Sequence, residues 1–409
     1  MKVLLVSTLY PPYVIGGAEK AAALLAEALV RRGNEVVVVS LHPESEEIVE
    51  KRNGVLVYRL PMDNVYWPFG RKEKPNTLLR LVWHIREIWN PVAARRIGRI
   101  LDMELPDIVH THNICGFSLA AWREIKRRKI RLVHTLHDYY LLCTRSSLFR
   151  NGRNCTDRCL DCRVLTVNRK QMSRLPDSVV SVSRHTLDEH LKRGCFEGVP
   201  TTVIHNIYSD GSAPLRQASS REGDSADVVF GFIGKIEEQK GLETLLSAST
   251  QLQRSNWKLK IAGTGLENYV KELSEKYADT RIEWLGFTDS SAFYAQVDAV
   301  VIPSLWADPL PYVCVESLHA GKRLICAASG GIPEMARLSP RAEIFPAGDS
   351  VALAEKMNLL LADPRLSRSS EGGGDSDLSI FNEEFVMGRY LQQYFPAIPE
   401  RPDRRPSKG

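Results

Sequence analysis

Short apolar runs alternate with longer amphipathic stretches along most of the chain. In the first half, four runs have the length and β-branched content of buried strands, at residues 3–6, 35–40, 108–110 and 132–135. The stretch 18–32 instead repeats its apolar residues with a helical period and ends at Gly33, a residue that commonly terminates helices. This alternation predicts a parallel, doubly wound sheet, which binds ligands at the carboxyl ends of its strands.

A second alternating region follows a polar break. Residues 208–227 are rich in Ser, Gly, Asp and Arg, and they are predicted to form an interdomain linker or a long surface loop. Beyond them the strand-like runs return, with helical stretches between them, at residues 228–233, 259–262, 282–285, 299–302 and 324–327. The predicted fold class is therefore α/β, with two doubly wound Rossmann-like domains at 1–207 and 228–384.

Length and composition agree with two folded domains. The chain has 409 residues, too many for one ordinary core, and 44% of them are hydrophobic and 25% charged. No run reaches the roughly 18–20 apolar residues of a membrane span. The first apolar run is interrupted by Pro11 and Pro12 and is not followed by a small-residue cleavage site, so we expect a cytoplasmic protein.

Three segments are predicted near the C-terminus. Residues 367–378 contain three consecutive glycines and are expected to form a disordered loop. Residues 385–395 have helical spacing. The tail at 397–409 is expected to be disordered.

Positive charge is distributed unevenly, although the net charge is only +5. Residues 123–131 are strongly basic, and residues 80–100 read as one basic amphipathic helix with arginines along one side. Such a helix can contact the inner face of an anionic membrane, or it can be a solvated basic face above a core helix. Nucleic-acid binding is not expected, because no recognised motif accompanies the charge.

The stretch 301–316 carries the most informative chemistry. An apolar strand runs into a turn with several prolines, and the turn opens into a helix. Asp308 stays in the turn, because the residue before a proline is disfavoured in helices. The N–H groups of Tyr312 and Val313 then point out of the helix start, where a phosphate would bind. Glu316 follows on the same helix, and it suits a ribose diol or an ordinary surface position.

Further motifs accompany this stretch in a fixed order, namely Gly16 with Gly17, Gly234 with Lys235, Lys240 with Gly241, Gly263 with Gly265, and residues 329–334. Together they resemble glycosyltransferase family 4, a family of retaining glycosyltransferases with the GT-B fold. Asp308 and Glu316 match the two acids of the family's E-x7-E motif, with aspartate in place of the usual first glutamate. The proline at 311 also removes an N–H that many relatives offer.

The resemblance implies two domains that face a central cleft, with the helix 385–395 crossing back onto the first domain. Lys235 and Lys240 would stabilise a leaving diphosphate, so that catalysis needs no metal or other cofactor. Glu316 would hold the ribose and Asp308 would orient the sugar. Without the resemblance, the two lysines could equally be exposed surface residues.

On the first-domain side, the resemblance places an acceptor-side histidine at His137. There it could hydrogen-bond a sugar hydroxyl or assist proton movement, although a lone histidine is often structural. His110 and His112, at an earlier strand end, are further candidates for lining the cleft. Gly16 and Gly17 would let backbone close over the diphosphate, or would form a simple turn. Gly263 and Gly265 would belong to the donor site.

After His137, four cysteines lie within a stretch of twenty residues, at Cys143, Cys155, Cys159 and Cys162. Thiolates at this density suit a structural Zn²⁺, although their spacing is not that of the common zinc modules. Reduced, unligated thiols are the alternative, and a disulfide is disfavoured in the cytosol. Such a site would brace the loop after His137.

The function predicted from the resemblance is retaining transfer of a sugar from a nucleotide-diphosphate sugar to a hydroxyl of a glycan or lipid-linked glycan. Surface polysaccharide synthesis is the expected setting. Two alternatives stay open, a nucleotide-sugar epimerase on the same fold and a non-enzymatic sugar-nucleotide-binding subunit. A dehydrogenase is disfavoured, because no G-x-G-x-x-G follows the first strand.

Overall fold

The computed structural model describes residues 1–70, 75–208, 227–363 and 378–395. Its strands are β1 (Lys2–Val6), β2 (Glu35–His42), β3 (Ile48–Arg52), β4 (Val55–Pro61), β5 (Ile108–Thr111), β6 (Arg131–Leu136), β7 (Phe149–Arg150), β8 (Arg153–Asn154), β9 (Ser178–Ser181), β10 (Thr201–Val203), β11 (Val228–Ile233), β12 (Trp257–Ala262), β13 (Ile282–Gly286), β14 (Ala299–Ile302), β15 (Arg323–Ala327) and β16 (Ala342–Phe345). Its helices are α1 (Gly17–Arg31), α2 (Thr77–Ile88), α3 (Pro91–Glu104), α4 (Ala120–Arg127), α5 (Leu160–Leu165), α6 (Arg169–Met172), α7 (Arg184–Lys192), α8 (Leu242–Ser249), α9 (Glu267–Lys276), α10 (Ser290–Tyr294), α11 (Tyr312–His319), α12 (Ile332–Ala336), α13 (Ser350–Ala362) and α14 (Glu383–Tyr394).

Two large sheets organise these elements. The first has eight strands in the order β10-β9-β6-β5-β1-β2-β4-β3 and is parallel except for the edge pair β3–β4. The second has six parallel strands in the order β13-β12-β11-β14-β15-β16. The predicted α/β class with two doubly wound Rossmann-like domains is confirmed. The short pair β7–β8 stands apart from both sheets.

Both faces of each sheet are buried, which is why the strands read as continuous apolar runs. Along β1, Leu4 and Val6 enter one core cluster while Val3 and Leu5 enter the cluster on the opposite face. The strands of the second sheet divide their side chains between two clusters in the same way.

The strand orders create one crevice in each domain. In the first sheet the connections run outward in opposite directions from β1 and β5, and in the second they do so from β11 and β14. Open parallel sheets bind ligands at such switch points, beyond the carboxyl ends of the strands. A ligand site is therefore expected among the segments that follow β1, β5, β11 and β14.

The last helix belongs to the first domain. Val386, Met387, Tyr390 and Tyr394 of α14 join the core cluster beneath β1. Glu383, at the start of α14, forms ion pairs with Arg31 at 2.5 Å and Arg32 at 2.6 Å, at the end of α1. The C-terminal part of the chain thus returns to the domain in which the chain began.

The prediction of one helix over residues 80–100 is wrong. The structure has two helices, α2 and α3, because Asn90 accepts a hydrogen bond from Ala93 N at 3.1 Å and Pro91 opens a new helix. The predicted linker at 208–227, loop at 367–378 and tail at 397–409 lie outside the described residues, apart from positions 208, 227 and 378. Among the helices the structure describes, none has the length and apolar content needed to cross a membrane.

Candidate active site

The β14–α11 loop (residues 303–311) rests on the turn that follows β11. The carbonyl oxygen of Gln239 accepts hydrogen bonds from the N–H groups of Leu305 and Trp306, each at 3.1 Å. Next to it, Gly241 has φ near +70°, and a Cβ at this position would lie 1.9 Å from Pro303 O. Only glycine permits both this conformation and this approach.

Two further glycines, Gly330 and Gly331, contact the β14–α11 loop. Gly331 N donates to Asp308 O at 2.8 Å. A Cβ at Gly330 would lie 2.2 Å from the same oxygen, and a Cβ at Gly331 would lie 2.1 Å from Pro309 O. Both glycines therefore allow their own backbone to pack directly against the β14–α11 loop at Asp308 and Pro309.

The loop brings a carboxylate and an ammonium group together. Lys240 Nζ lies 2.5 Å from Asp308 Oδ2, and Asp308 is only 6% exposed. The ring of Trp306 lies 5.1 Å from the same ammonium. A cavity of about 50 Å³ opens beside the pair, and Gly234 and Val313 contribute to its lining. The pair thus occupies the switch point between β11 and β14.

Lys235 is placed differently from Lys240. It is exposed and forms no ion pair with any residue the structure describes. The glycines of the G-x-G turn support its loop, because a Cβ at Gly263 would lie 1.8 Å from Gly234 O and one at Gly265 would lie 2.2 Å from Ile236 O. Their predicted contact with a ligand stays a prediction, since their Cβ positions face protein backbone.

The start of α11 meets the glycine loop of the first domain. A Cβ at Gly17 would lie 2.6 Å from the ring of Tyr312, so glycine is required for the two domains to approach this closely. Gly16 caps α1, and its N–H donates to Glu19 Oε2 at 2.8 Å. Glu316, one turn into α11, accepts from Tyr294 OH at 3.1 Å through Oε2. Glu316 therefore has a hydrogen-bond partner within the protein.

His137 follows β6 and pairs with His112, which follows β5. The distance between His112 Nδ1 and His137 Nε2 is 2.9 Å. Removal from water lowers the pKa of His137 to about 4, and it holds the pKa of His112 well below its usual range. Both rings are therefore neutral at pH 7, and one of them donates its proton to the other.

The surroundings of His112 Nε2 indicate which of the two rings donates this hydrogen bond. His112 Nε2 is buried and has no hydrogen-bond partner among the described residues. A buried orphan N–H is rarer than a buried orphan acceptor, so we place the His112 proton on Nδ1, donating to His137. His137 then carries its own proton on Nδ1, where it makes no hydrogen bond to a described residue and can donate to a ligand.

Asp138 adds an acid that the sequence did not assign. Burial raises the pKa of Asp138 to about 6, and the carboxylate of Glu19 adds to the increase. Asp138 Oδ1 accepts from Tyr140 N at 2.8 Å. The start of α1 therefore lies near the His137 turn, at the carboxyl edge of the first sheet.

The cysteine segment (residues 139–162) belongs to the first domain and forms hydrogen bonds with the β14–α11 loop of the second domain. Asn154 donates to Leu305 O at 2.7 Å and accepts from Ala307 N at 2.9 Å. Tyr139 OH donates to Ala307 O at 2.7 Å. The sequence offered no signal for these contacts. They place the segment against both sides of the predicted cleft, and not only beside His137.

The four thiols of this segment are free. A hydrogen bond from Cys162 lowers the pKa of the Cys143 thiol to about 6. Across the parts of the chain that the structure describes, no three histidine, cysteine or acidic side chains are placed to share a metal ion. The zinc prediction therefore gains no support from the thiol positions, which fit the alternative of reduced thiols packed into the core.

Glu334 joins the second domain to the start of α7 in the first. Its carboxylate accepts from Arg184 N at 2.8 Å and from His185 N at 2.6 Å, so it caps α7 of the first domain. A negative charge at a helix N-terminus is stabilising. This cap is a further contact that joins the two domains.

Two family profiles match this chain. Glycosyltransferase Family 4 matches residues 15–209, and glycosyl transferases group 1 matches residues 216–371. A Klebsiella pneumoniae protein described as an uncharacterized 42.6 kDa protein in the cps region is 30% identical, over 96% of this chain and 100% of its own length.

Solved structures share the two-domain fold. Sucrose-phosphate synthase from Thermosynechococcus elongatus superposes with a TM-score of 0.72 at 18% identity, covering 97% of this chain and 100% of that one. Anabaena Alr3699/HepE in complex with UDP-glucose gives 0.67 at 17% identity, covering 96% and 98%. With its two matching profiles and a relative aligned over its whole length, this chain belongs to the GT-B glycosyltransferases, as a glycosyltransferase family 4 domain followed by a glycosyl transferases group 1 domain.

Proposed function

We propose that this protein transfers a hexose from a nucleotide-diphosphate sugar to a hydroxyl of a glycan or lipid-linked glycan, with retention at the anomeric carbon. The observation that carries the proposal is the Lys240–Asp308 pair at the switch point of the second domain, whose loop is hydrogen-bonded by Tyr139, two residues after His137. The relative from a cps region supports surface polysaccharide synthesis as the setting. The UDP-glucose complex of the Anabaena neighbour supports a nucleotide-sugar donor.

Each group has a defined part in this proposal. The ammonium of Lys240 and the N–H groups at the start of α11 offset the charge that develops on the leaving diphosphate. Asp308 holds the ammonium in place and orients the sugar, while Glu316 binds the ribose. His137 donates from Nδ1 to a sugar hydroxyl as a neutral group.

The resemblance to the retaining family implies the bond changes. The acceptor oxygen forms a bond to the anomeric carbon on the face from which the diphosphate oxygen departs, and the acceptor proton passes to the departing diphosphate. We assign no side chain as a covalent nucleophile and no metal to the step. Closure of the two domains around the donor limits hydrolysis by excluding water.

The direct test is release of nucleoside diphosphate from a panel of UDP-, GDP- and dTDP-sugars, with and without a pool of glycan and lipid-linked acceptors, in the presence of EDTA. We expect release that depends on the acceptor, and a product whose anomeric proton coupling shows retention. Conversion of the sugar without acceptor would indicate an epimerase. Donor binding with neither transfer nor hydrolysis would indicate a binding subunit.

Lys240→Ala is expected to lower the transfer rate by roughly 10²–10³. It also leaves the buried Asp308 carboxylate without its cation, which destabilises the fold. Lys240→Ala/Asp308→Ala removes both charges and separates the loss of rate from the loss of stability. Lys271→Ala, at an exposed lysine of α9, is the control. Single-turnover rates and thermal midpoints are measured together. If the double variant recovers the parent rate, Lys240 acts only by neutralising Asp308.

Glu316→Ala is expected to weaken binding of the nucleoside diphosphate, because a charge-assisted hydrogen bond to the ribose is worth about 1.5–3 kcal/mol. Calorimetric titration with UDP and other diphosphates measures the change. Tyr294→Phe is the matched control, since it removes the protein partner of Glu316 Oε2 and keeps the carboxylate. If Tyr294→Phe loses as much affinity for the diphosphate as Glu316→Ala does, the role of Glu316 is structural.

The activity that depends on His137 is expected to stay level from pH 8 down to about pH 6. The pKa of His137 is lowered to about 4, so its neutral form persists through this window and is lost only as the pH falls toward 4. A pH–rate profile of kcat/KM checks this, with circular dichroism as the test of folding at each pH. An inflection near pH 6.5 that is absent in His137→Gln would contradict a neutral donor.

A further inference from the structure

Three thiols of the cysteine segment lie together at the start of α5. Cys159 is the residue before the helix, and its carbonyl oxygen accepts from Arg163 N at 2.9 Å. Cys162 follows in the first turn, and its thiol makes hydrogen-bonding contacts with the thiols of both Cys159 and Cys143. The pair Cys159 and Cys162 thus has the C-x-x-C spacing, which redox-active dithiols of other proteins share.

The two thiols of this pair differ in their access to water. Cys162 is 4% exposed, whereas Cys159 is partly exposed and lines a cavity of about 380 Å³. Cys143 is also 4% exposed, and it does not line this cavity. A reagent in the cavity therefore meets Cys159 first, with Cys162 behind it. An accessible thiol beside a second, resolving thiol is the arrangement of reversible thiol oxidation.

The same cavity is rich in positive charge. Arg150, Arg153 and Arg158 are among its lining residues, together with a single acid, Asp157. Arg153 is exposed and forms no ion pair with any residue that the structure describes. Arg150 reaches the carboxylate of Asp161 only at 3.6 Å. The excess of positive charge attracts an anionic reagent to the cavity that holds Cys159.

We propose that Cys159 and Cys162 form a thiol–disulfide exchange site for small anionic disulfides of the glutathione class. The arginines of the cavity bind carboxylates of the reagent, and Cys159 reacts with its sulfur. The volume of the cavity lies in the range of small-molecule sites. Carboxylate recognition by arginine side chains is strong and directional, because the guanidinium group presents several N–H donors in one plane.

The exchange proceeds in two steps, with the small disulfide as the oxidant. The Cys159 thiolate attacks one sulfur of the reagent, which breaks the S–S bond and releases one half as a thiolate. The sulfur of Cys162 then attacks Cys159 and releases the other half, so that a Cys159–Cys162 disulfide forms. The two protein thiols lose two electrons to the reagent, and their two protons pass to the two released thiolates.

The exchange site lies beside the β14–α11 loop. Asn154 lines the same cavity, and its side chain bonds to Leu305 O at 2.7 Å and to Ala307 N at 2.9 Å. A glutathione half held on Cys159 therefore occupies the space next to a residue that binds the loop of Asp308. The exchange does not rest on the proposed transfer, and it is tested without sugar donor or acceptor.

The experiment treats the reduced, full-length protein with glutathione disulfide and, separately, with neutral hydroxyethyl disulfide. Remaining thiols are alkylated, and mass spectrometry of the peptides locates the products. We expect a Cys159–Cys162 disulfide, formed at least about tenfold faster with glutathione disulfide, after both rates are divided by those of a free cysteine peptide. The preference is expected to fall near 1 M salt, where the Debye length is about 3 Å. A Cys143–Cys162 disulfide, or no reaction before unfolding, would overturn the proposal.

Substitutions assign the two roles. Cys162→Ser is expected to accumulate a mixed disulfide between Cys159 and glutathione, because the second thiol is missing. Cys159→Ser is expected to slow the reaction at least about tenfold, since the buried Cys162 is left without its accessible partner. Cys195→Ala, at another buried thiol of the first domain, is the control and should react as the parent does. Reaction of Cys159→Ser at the parent rate would contradict the assignment.

The role of the cavity charge is tested with Arg150→Gln/Arg153→Gln. This variant is expected to lose most of the preference for glutathione disulfide and to keep its rate with hydroxyethyl disulfide, because only the anionic reagent gains from the arginines. Arg254→Gln/Arg337→Gln, at two exposed arginines of the second domain, is the matched control. An equal fall in the control would mean that net charge alone attracts the reagent, against the proposal.

Two further measurements complete the test. Thermal midpoints near that of the parent show that the variants are folded. Elemental analysis of the purified protein asks whether the thiols hold a metal ion. Bound Zn²⁺ that keeps Cys159 and Cys162 unreactive until it is chelated would assign the thiols to a structural metal site and overturn the proposal.

Discussion

The close approach of backbone to backbone around the β14–α11 loop is the constraint on which the site depends. Gly241, Gly330 and Gly331 each stand where a Cβ would fall about 2 Å from an atom of the loop. Substitution at any of them would push the loop away, because backbone cannot move aside as a flexible side chain does. The position of Asp308, and hence its pairing with Lys240, follows from these three missing side chains.

On the opposite wall of the cleft, the controlling effect is removal from water. The imidazoles of His110, His112, His134 and His137 all have lowered pKa values, because burial penalises their charged forms. His112 and His137 bond to each other, and His134 Nδ1 bonds to Thr111 Oγ1 at 2.9 Å. His110 Nδ1 bonds to Tyr394 OH at 2.8 Å, on the helix that returns from the C-terminus. The wall is therefore uncharged at its histidines, while the charges of the site belong to the second domain and to Asp138.

The sequence predicted those features of the fold that depend on a local pattern of apolar and polar residues. The strands at 228–233 and 299–302 were predicted at their observed bounds, since a fully buried parallel strand reads as an unbroken apolar run. Three contacts could not be predicted, because each joins residues that only the tertiary fold brings together. They are the ion pair of Lys240 with Asp308, the His112–His137 hydrogen bond, and the hydrogen bonds of Asn154 to the β14–α11 loop. The break at Pro91 could have been predicted from Asn90 and the proline alone, but the arginine spacing favoured one helix.

The hydrogen bonds of the cysteine segment connect the two walls of the cleft. Asn154 and Tyr139 bind the peptide groups next to Asp308, and the segment begins two residues after His137. The segment therefore connects the β14–α11 loop to the His137 turn directly. The same turn is tied to α2 through Tyr140 and Glu87. Neighbouring residues of the segment, Tyr139 and Tyr140, thus bond on one side to the β14–α11 loop and on the other side to α2.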